Sequence, residues 1–283
     1  MSTETPSKQI TVIRPTKGWV RIHLRELWEY RELLFFLIWR DVKVRYKQTV
    51  LGIGWAVIQP LLMALLFTVV FNQLANIQSR NVEFILFAYM GLLPWNLFAK
   101  GLTDGSRSLV TNERLVTKVY FPRLILPSAA VLAGLVDFVI GLGVGFGLLL
   151  YFGRWPTIAV LLLPLFVGLT AIAAMGIAFW LSAIDARYRD VRYTVPFLTQ
   201  MWFFVTPIVY PAELVLQRVP EAWRWLFSLN PMVGVVEGFR WALFGESWDL
   251  EPLWWLSVVA VVGIFVSGIL YFRRTERIFA DMV

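Results

Sequence analysis

Residues 125–151 read ILPSAAVLAGLVDFVIGLGVGFGLLLY, 27 positions with one ionisable side chain, Asp137. A helix of about 20 apolar residues crosses the ~30 Å of hydrocarbon in a bilayer, so this stretch predicts a transmembrane span. Gly141, Gly143, Gly145 and Gly147 form two overlapping small-xxx-small pairs. Such pairs let helix backbones approach closely where lipid supplies no hydrophobic drive, and tight bundle packing is expected here. A carboxylate in hydrocarbon is costly, so Asp137 should face the bundle or a wet cavity and find a hydrogen-bond partner. No other span contains an acidic residue, which favours a structural polar contact over a proton or cation site.

Outward from this block lie five more: Val50–Phe71, Phe84–Leu102, Thr157–Ile184, Thr194–Tyr210 and Pro252–Phe272. The fifth in chain order, Thr194–Tyr210, is near the short limit for a span. The gaps alternate in charge. Residues 1–47, 103–123 with Lys100 at its edge, 185–193 and 273–283 together hold 21 Lys/Arg, against five in the intervening gaps. The positive-inside rule then places both termini in the cytoplasm. Pro164, Pro196 and Pro207 predict kinks.

The 211–251 connection is too long and too apolar for a bundle loop. Ala222–Leu229 (AWRWLFSL) and Met232–Phe244 (MVGVVEGFRWALF) are each too short to cross. Asn230-Pro231 is a helix start, with a capping side chain and then proline in the first turn. Gly245 is a matching stop. A re-entrant hairpin on the outer side accounts for these features, with two helices flat on the outer surface as the alternative. At the other end, Leu24, Leu27, Trp28, Leu34, Phe35, Ile38 and Val42 recur at helical spacing. Arg21–Arg40 therefore predicts an amphipathic helix in the cytoplasmic interface, or one packed on a partner protein. The expected fold is all-α: a polytopic membrane protein with six transmembrane helices, an interface helix and a re-entrant hairpin. Its divisions are a tail (1–20), the interface helix and linker (21–47), the permease domain (48–273) and a C-terminal tail (274–283).

Composition narrows the chemistry. Apolar residues make up 58% of the chain and its mean hydropathy is +0.66, too greasy for a soluble fold. The net charge of +7 sits mostly beside membrane ends and suits anionic lipid rather than nucleic acid. The absence of cysteine excludes disulfides and thiol chemistry, and the single histidine, His23, cannot build a metal cluster. No cleavable signal peptide is expected. Glu213, Glu221, Glu237, Glu246, Asp249 and Glu251 are scattered, while Asp185 and Asp190 in DARYRDVRY are explained by local pairing with Arg187, Arg189 and Arg192. No catalytic or metal-ligating residue is assigned. No G-x-x-x-x-G-K-[ST] loop occurs, so any ATP-driven activity needs a separate nucleotide-binding subunit. Trp202, Phe203, Phe204, Tyr210, Trp223, Trp225, Phe239 and Trp241 are denser than an interfacial belt requires. Flat aromatic faces suit the apolar faces of sugar rings while permitting sliding; belt and packing roles are the alternative.

Arg45–Pro60 (RYKQTVLGIGWAVIQP), Asn112–Pro127 (NERLVTKVYFPRLILP), Tyr188–Pro211 (YRDVRYTVPFLTQMWFFVTPIVYP), Asn230–Gly245 (NPMVGVVEGFRWALFG) and the tail FRRTERIFAD resemble the membrane subunits of type-2 ABC exporters for bacterial surface polysaccharides. These are permeases for O-antigen, teichoic acid and some capsules. The likeness runs from about residue 25 over nearly all the chain, in order; the extended N-terminus is its one departure from shorter members.

The resemblance implies a homodimer in the bacterial cytoplasmic (inner) membrane, served by a separate ABC ATPase dimer that binds ATP and Mg; this chain itself binds no cofactor. The family's coupling segment falls within 103–123, on Asn112, Glu113, Arg114, Lys118, Tyr120 and Pro122. Its outer gate helices fall within 211–251. Its cargo is a glycan on a polyprenyl diphosphate, and Lys43, Arg45 and Lys47 would attract that diphosphate at the inner leaflet. Positive-inside anchoring explains the same three residues. An exporter of another lipid or drug, a membrane-embedded glycan-assembly enzyme and a passive channel or scaffold are the competing classes.

Overall fold

The computed structural model describes residues 28–47, 52–76, 79, 82–245 and 254–276. Among them every regular element is helical. In chain order these are α1 (Arg31–Lys47), α2 (Gly54–Phe67, running on into a π turn, Thr68–Leu74), α3 (Phe84–Thr111), α4 (Glu113–Lys118), α5 (Ile125–Tyr151), α6 (Leu163–Asp185, preceded by a 3-10 turn, Ile158–Leu162), α7 (Val191–Val205), α8 (Ala212–Arg218), α9 (Arg224–Ser228, preceded by a 3-10 turn, Glu221–Trp223), α10 (Pro231–Phe244) and α11 (Trp254–Thr275). The expected tail 1–20 and the segments 246–253 and 277–283 lie outside the described residues.

Five helical stretches are long and apolar enough to cross a bilayer: 54–74, 84–111, 125–151, 158–185 and 254–275. The remaining predicted block forms only α7, with 15 residues and so a length of about 22 Å. Proline chemistry ends it. Thr206 precedes Pro207 and adopts extended backbone (ψ 137°), as a residue crowded by the following proline ring must. Pro164, expected to kink a span, instead sits in the first turn of α6, where its missing N–H costs nothing. The prolines that do lie inside helices are the expected Pro196 in α7, together with Pro60 in α2 and Pro94 in α3.

α3 is the centre of the bundle. It packs between α5 and α6, α6 pairs with α11, and α2 lies on the α3 side. The expected glycine stripe divides. Gly141 and Gly145 meet Leu93 and Met90 of α3, whereas nothing approaches Gly143 or Gly147. A second close approach, between Gly176 of α6 and Gly268 of α11, leaves no room for a β-carbon on either.

α10 shows how the described part of the connection, 211–245, is placed. The Asn230 side chain accepts from the Met232 N–H at 3.1 Å, and Gly245 closes the helix in the left-handed region at φ 67°. These are the predicted start and stop. Between them Met232, Val233, Val235, Val236, Phe239, Ala242 and Leu243 are all buried, against α3, α6 and α11. α10 is thus inserted into the bundle rather than laid on its surface.

α1 differs from its expected bounds. It continues past Arg40 to Lys47, and residues 21–27 lie outside the described set. It lies along α5. Leu37 is 1% exposed in an inner core shared with Leu109, Val116, Phe121, Leu124, Phe179, Ile269 and Phe272, and Leu33, Leu34 and Ile38 pack beside it. Phe35 of the expected stripe is 72% exposed, and Phe36 and Trp28 are also exposed. The helix has apolar surface on two sides, one for the bundle and one for lipid.

Candidate functional site

Four charged side chains from three helices meet where α1, α3 and α5 come together. Asp137 on α5 accepts from Arg45 Nη1 at 2.6 Å, from Lys100 Nζ at 2.6 Å and from the Tyr46 hydroxyl. Arg45 Nη2 also donates to Asp104 Oδ2 at 3.0 Å. Two cations and two carboxylates balance, which is how charge survives at membrane depth. The expected partner of Asp137 is therefore a network that ties α1 to α3 and α5.

Beside the network is a cavity of about 380 Å³ lined by Trp55, Gln59, Asn96, Lys100, Asp104 and Asp137 among others. A second cavity of about 390 Å³ lies between α2, α3 and α7, lined by Gln59, Phe67, Trp95, Asn96, Thr199, Gln200, Phe203 and Phe204. Gln59, Asn96 and Thr103 border both, so the two are neighbours across one polar seam. Phe203 stacks on Phe67 at 5.5 Å and meets Trp95 edge-on at 5.7 Å. Amide side chains supply both donors and acceptors, and rings supply flat apolar faces. The combination fits a hydroxyl-rich ligand that must slide rather than lodge.

The aromatic residues expected along a pathway do not form one set. Phe203 and Phe204 line the second cavity. Trp202 points the other way, edge-on to Phe98, with Nε1 donating to Asn230 Oδ1 at 3.0 Å. Tyr210 donates its hydroxyl to the Phe204 carbonyl at 2.9 Å. Trp223, at the end of a 3-10 turn (Glu221–Trp223), and Trp225 of α9 are exposed. Trp241 packs against the core. Phe239 has no exposed surface and sits edge-on to Phe138; a ring with no free face is a packing residue.

The expected coupling segment forms α4 and the turn after it. Glu113, Arg114 and Lys118 are exposed, and Tyr120 is 87% exposed. Asn112 donates back to the Ser108 carbonyl at 2.8 Å, and Pro122 is buried. Val116 and Phe121 anchor the segment in the inner core. Arg123 fixes its far end, donating to the Glu276 carbonyl at 3.0 Å. A rigid base carries a polar, protruding face.

Of the three basic residues expected to attract a diphosphate, Arg45 is engaged by Asp137 and Asp104, whereas Lys43 and Lys47 remain on the outer flank of α1. Sequence reading missed Arg240, assigned only to an outer gap. It is 3% exposed. Its guanidinium donates to the Pro207 carbonyl at 2.8 Å, to Glu237 at 3.1 Å and to the Ile208 carbonyl, and lies 3.6 Å over the Phe87 ring. It staples α10 to the turn after α7. Asp104 was missed as well, though its place four residues after Lys100 puts both on one helix face.

The profile of ABC-2 type transporters matches residues 32–244, from α1 to the end of α10. The chain belongs to the ABC-2 type transporter family. Among curated proteins this ABC-2 chain is similar to an O-antigen export system permease protein, RfbA, of Myxococcus xanthus, with 35% identity over 262 residues, 92% of this chain and 98% of the relative. An RfbA of Klebsiella pneumoniae is 26% identical over 255 residues, 89% of this chain and 95% of that one. The polysialic acid transport protein KpsM of Escherichia coli is 25% identical over 247 residues, 85% and 92% of the two chains. The ABC-2 match ends at the residue before Gly245, so it takes in the charge network, both cavities, α4 and α10.

Proposed function

We propose that the chain is the membrane-spanning subunit of an ATP-driven exporter that moves surface polysaccharide across the bacterial inner membrane. It is a transporter permease rather than an enzyme. The observation that carries this reading is the likeness to an O-antigen export permease over 92% of the chain. The neighbouring cavities support it, since amides lie there beside the stacked rings of Phe67 and Phe203 and the edge-on ring of Trp95.

ATP and Mg are bound by a separate ATPase subunit, which docks on Glu113, Arg114, Lys118 and Tyr120, with Asn112 and Pro122 shaping that surface from within. The cargo is a glycan on a polyprenyl diphosphate. Lys43 and Lys47 draw anionic headgroups to the α1 flank, while Arg45 holds α1 to the bundle. One bundle encloses little space for a hydrated polymer, so two copies about a two-fold axis form the path, lined on each side by Phe203 and Phe204. Nucleotide turnover in the partner moves α4 and shifts the path between closed and open states. Both termini and α4 then face the cytoplasm, and α8–α10 close the outer end.

Deleting the gene and following the glycan tests the reading. Lipid-linked polymer should accumulate inside the cell and disappear from its surface, and the wild-type gene should restore export. Normal surface polymer in the deletion strain would refute it, as would product turnover by the purified chain without an ATPase.

A further inference from the structure

The basic residues of α1 part into two groups. Arg45 turns inward to Asp104 and Asp137. Lys43 and Lys47, one helical turn apart and so on a shared face, sit at the rim of a groove of about 540 Å³ between α1 and α5. The rest of its wall is Phe35, Ile38, Trp39, Val42, Tyr46 and Val136. Among the described residues neither lysine is paired with a carboxylate; Lys43 lies 5.2 Å over the Trp39 ring. Phe35 and Val136 in the groove wall and Val139, one turn along α5 from Val136, are exposed apolar side chains. An apolar trough with two unpaired cations at its mouth is complementary to an amphiphile with an anionic head.

We propose that this groove holds one anionic phospholipid of the inner leaflet, its acyl chain along Ile38, Trp39, Val42 and Val136 and its phosphate on Lys43 and Lys47. The assignment rests on the cytoplasmic placement of α1 argued above. The lipid acts as a bracket for α1. Tyr46 forms part of the groove wall while its hydroxyl donates to Asp137, so the occupant presses on the residue that closes the charge network. The groove shares no lining residue with either interior cavity, which keeps the resident lipid apart from both.

Native mass spectrometry of the full chain, purified with its ATPase partner, reads the occupant without any export assay, so its failure is separable from failure of the transport reading. One phosphatidylglycerol or cardiolipin mass should stay on each chain. Lys43→Gln with Lys47→Gln should weaken retention roughly thirtyfold, equivalent to about 1 kcal/mol per lysine. Val136→Trp, which fills the groove and keeps both lysines, should also displace the lipid. Against misfolding as the cause, Val42→Cys in nanodiscs gives a second readout. Maleimide labelling of that thiol should be slower with one-fifth phosphatidylglycerol than in phosphatidylcholine alone. Parental retention in the double-lysine variant, equal labelling in the two bilayers, or a polyprenyl diphosphate mass in place of the phospholipid would each overturn the proposal.

Discussion

Asp137→Asn removes the charge on which Arg45, Tyr46 and Lys100 converge while keeping the size of the side chain. Removing one partner of a buried ion pair costs about 3–5 kcal/mol, but three features lower that figure here. Arg45 keeps Asp104 at 3.0 Å. The Lys100 side chain is 42% exposed and can turn to water. Asparagine still accepts from Tyr46. A loss of about 2 kcal/mol remains, and since two of the three donors sit on α1, it falls mainly on the docking of that helix. The chain lacks cysteine, so Leu37→Cys places a single thiol on the buried face of α1 (Leu37 1% exposed). Where opening and closing outrun labelling, the labelling rate follows the opening equilibrium. About 2 kcal/mol then predicts roughly thirtyfold faster modification in the Asp137→Asn background. A change smaller than about threefold would refute the network as the tie holding α1. So would an undiminished effect of Asp137→Asn when Arg45→Gln is already present, because two changes to one interaction should not add.

Further outcomes follow from the packing. Arg240→Ala removes the guanidinium that donates to the buried Pro207 and Ile208 carbonyls and should destabilise the purified complex by about 3 kcal/mol, seen as a lower unfolding temperature; Arg240→Lys, which cannot span the same carbonyls, should not restore it. Gly268→Val drives a side chain into the Gly176 backbone of α6 and should lower the same temperature by the equivalent of about 1–3 kcal/mol, whereas Gly263→Val, with open space around it, should not. Phe203→Ala removes the ring between Phe67 and Trp95 and should reduce surface glycan with assembly intact; normal export would remove it from the path. Glu113→Arg and Tyr120→Ala should leave hydrolysis by the partner running while export falls, measured as phosphate released per glycan exported, and an unchanged ratio would overturn the docking assignment.

How much of this could be read beforehand depended on the range of the signal. Span length and hydropathy are local sums, so five of the six blocks emerge as helices of crossing length. The ends of α10 were equally legible, because an Asn-Pro start and a glycine stop are decided by a few neighbouring residues. α7 fell short for a local reason as well: Pro207 was visible, yet it ends the helix instead of bending it, since Thr206 yields to extended backbone before the ring. What could not be read was which charges meet. Arg45 and Asp137 are 92 residues apart, and no periodicity records that α1 lies along α5 at the depth where they touch. The same blindness made Lys43, Arg45 and Lys47 look equivalent, although residues two apart on a helix point to nearly opposite sides. Arg240 shows the limit most plainly. In sequence it is one more cation in a gap of Glu and Trp. Only the fold brings the Phe87 ring under its guanidinium and two turn carbonyls to its edge, and Gly91, with no side chain, supplies the space. A buried arginine needs several partners at once, and those partners come from α3, α10 and the turn after α7. Its role therefore exists only once α10 has been inserted into the bundle, which makes Arg240 a consequence of the topology and the residue whose loss should most directly release α10 from it.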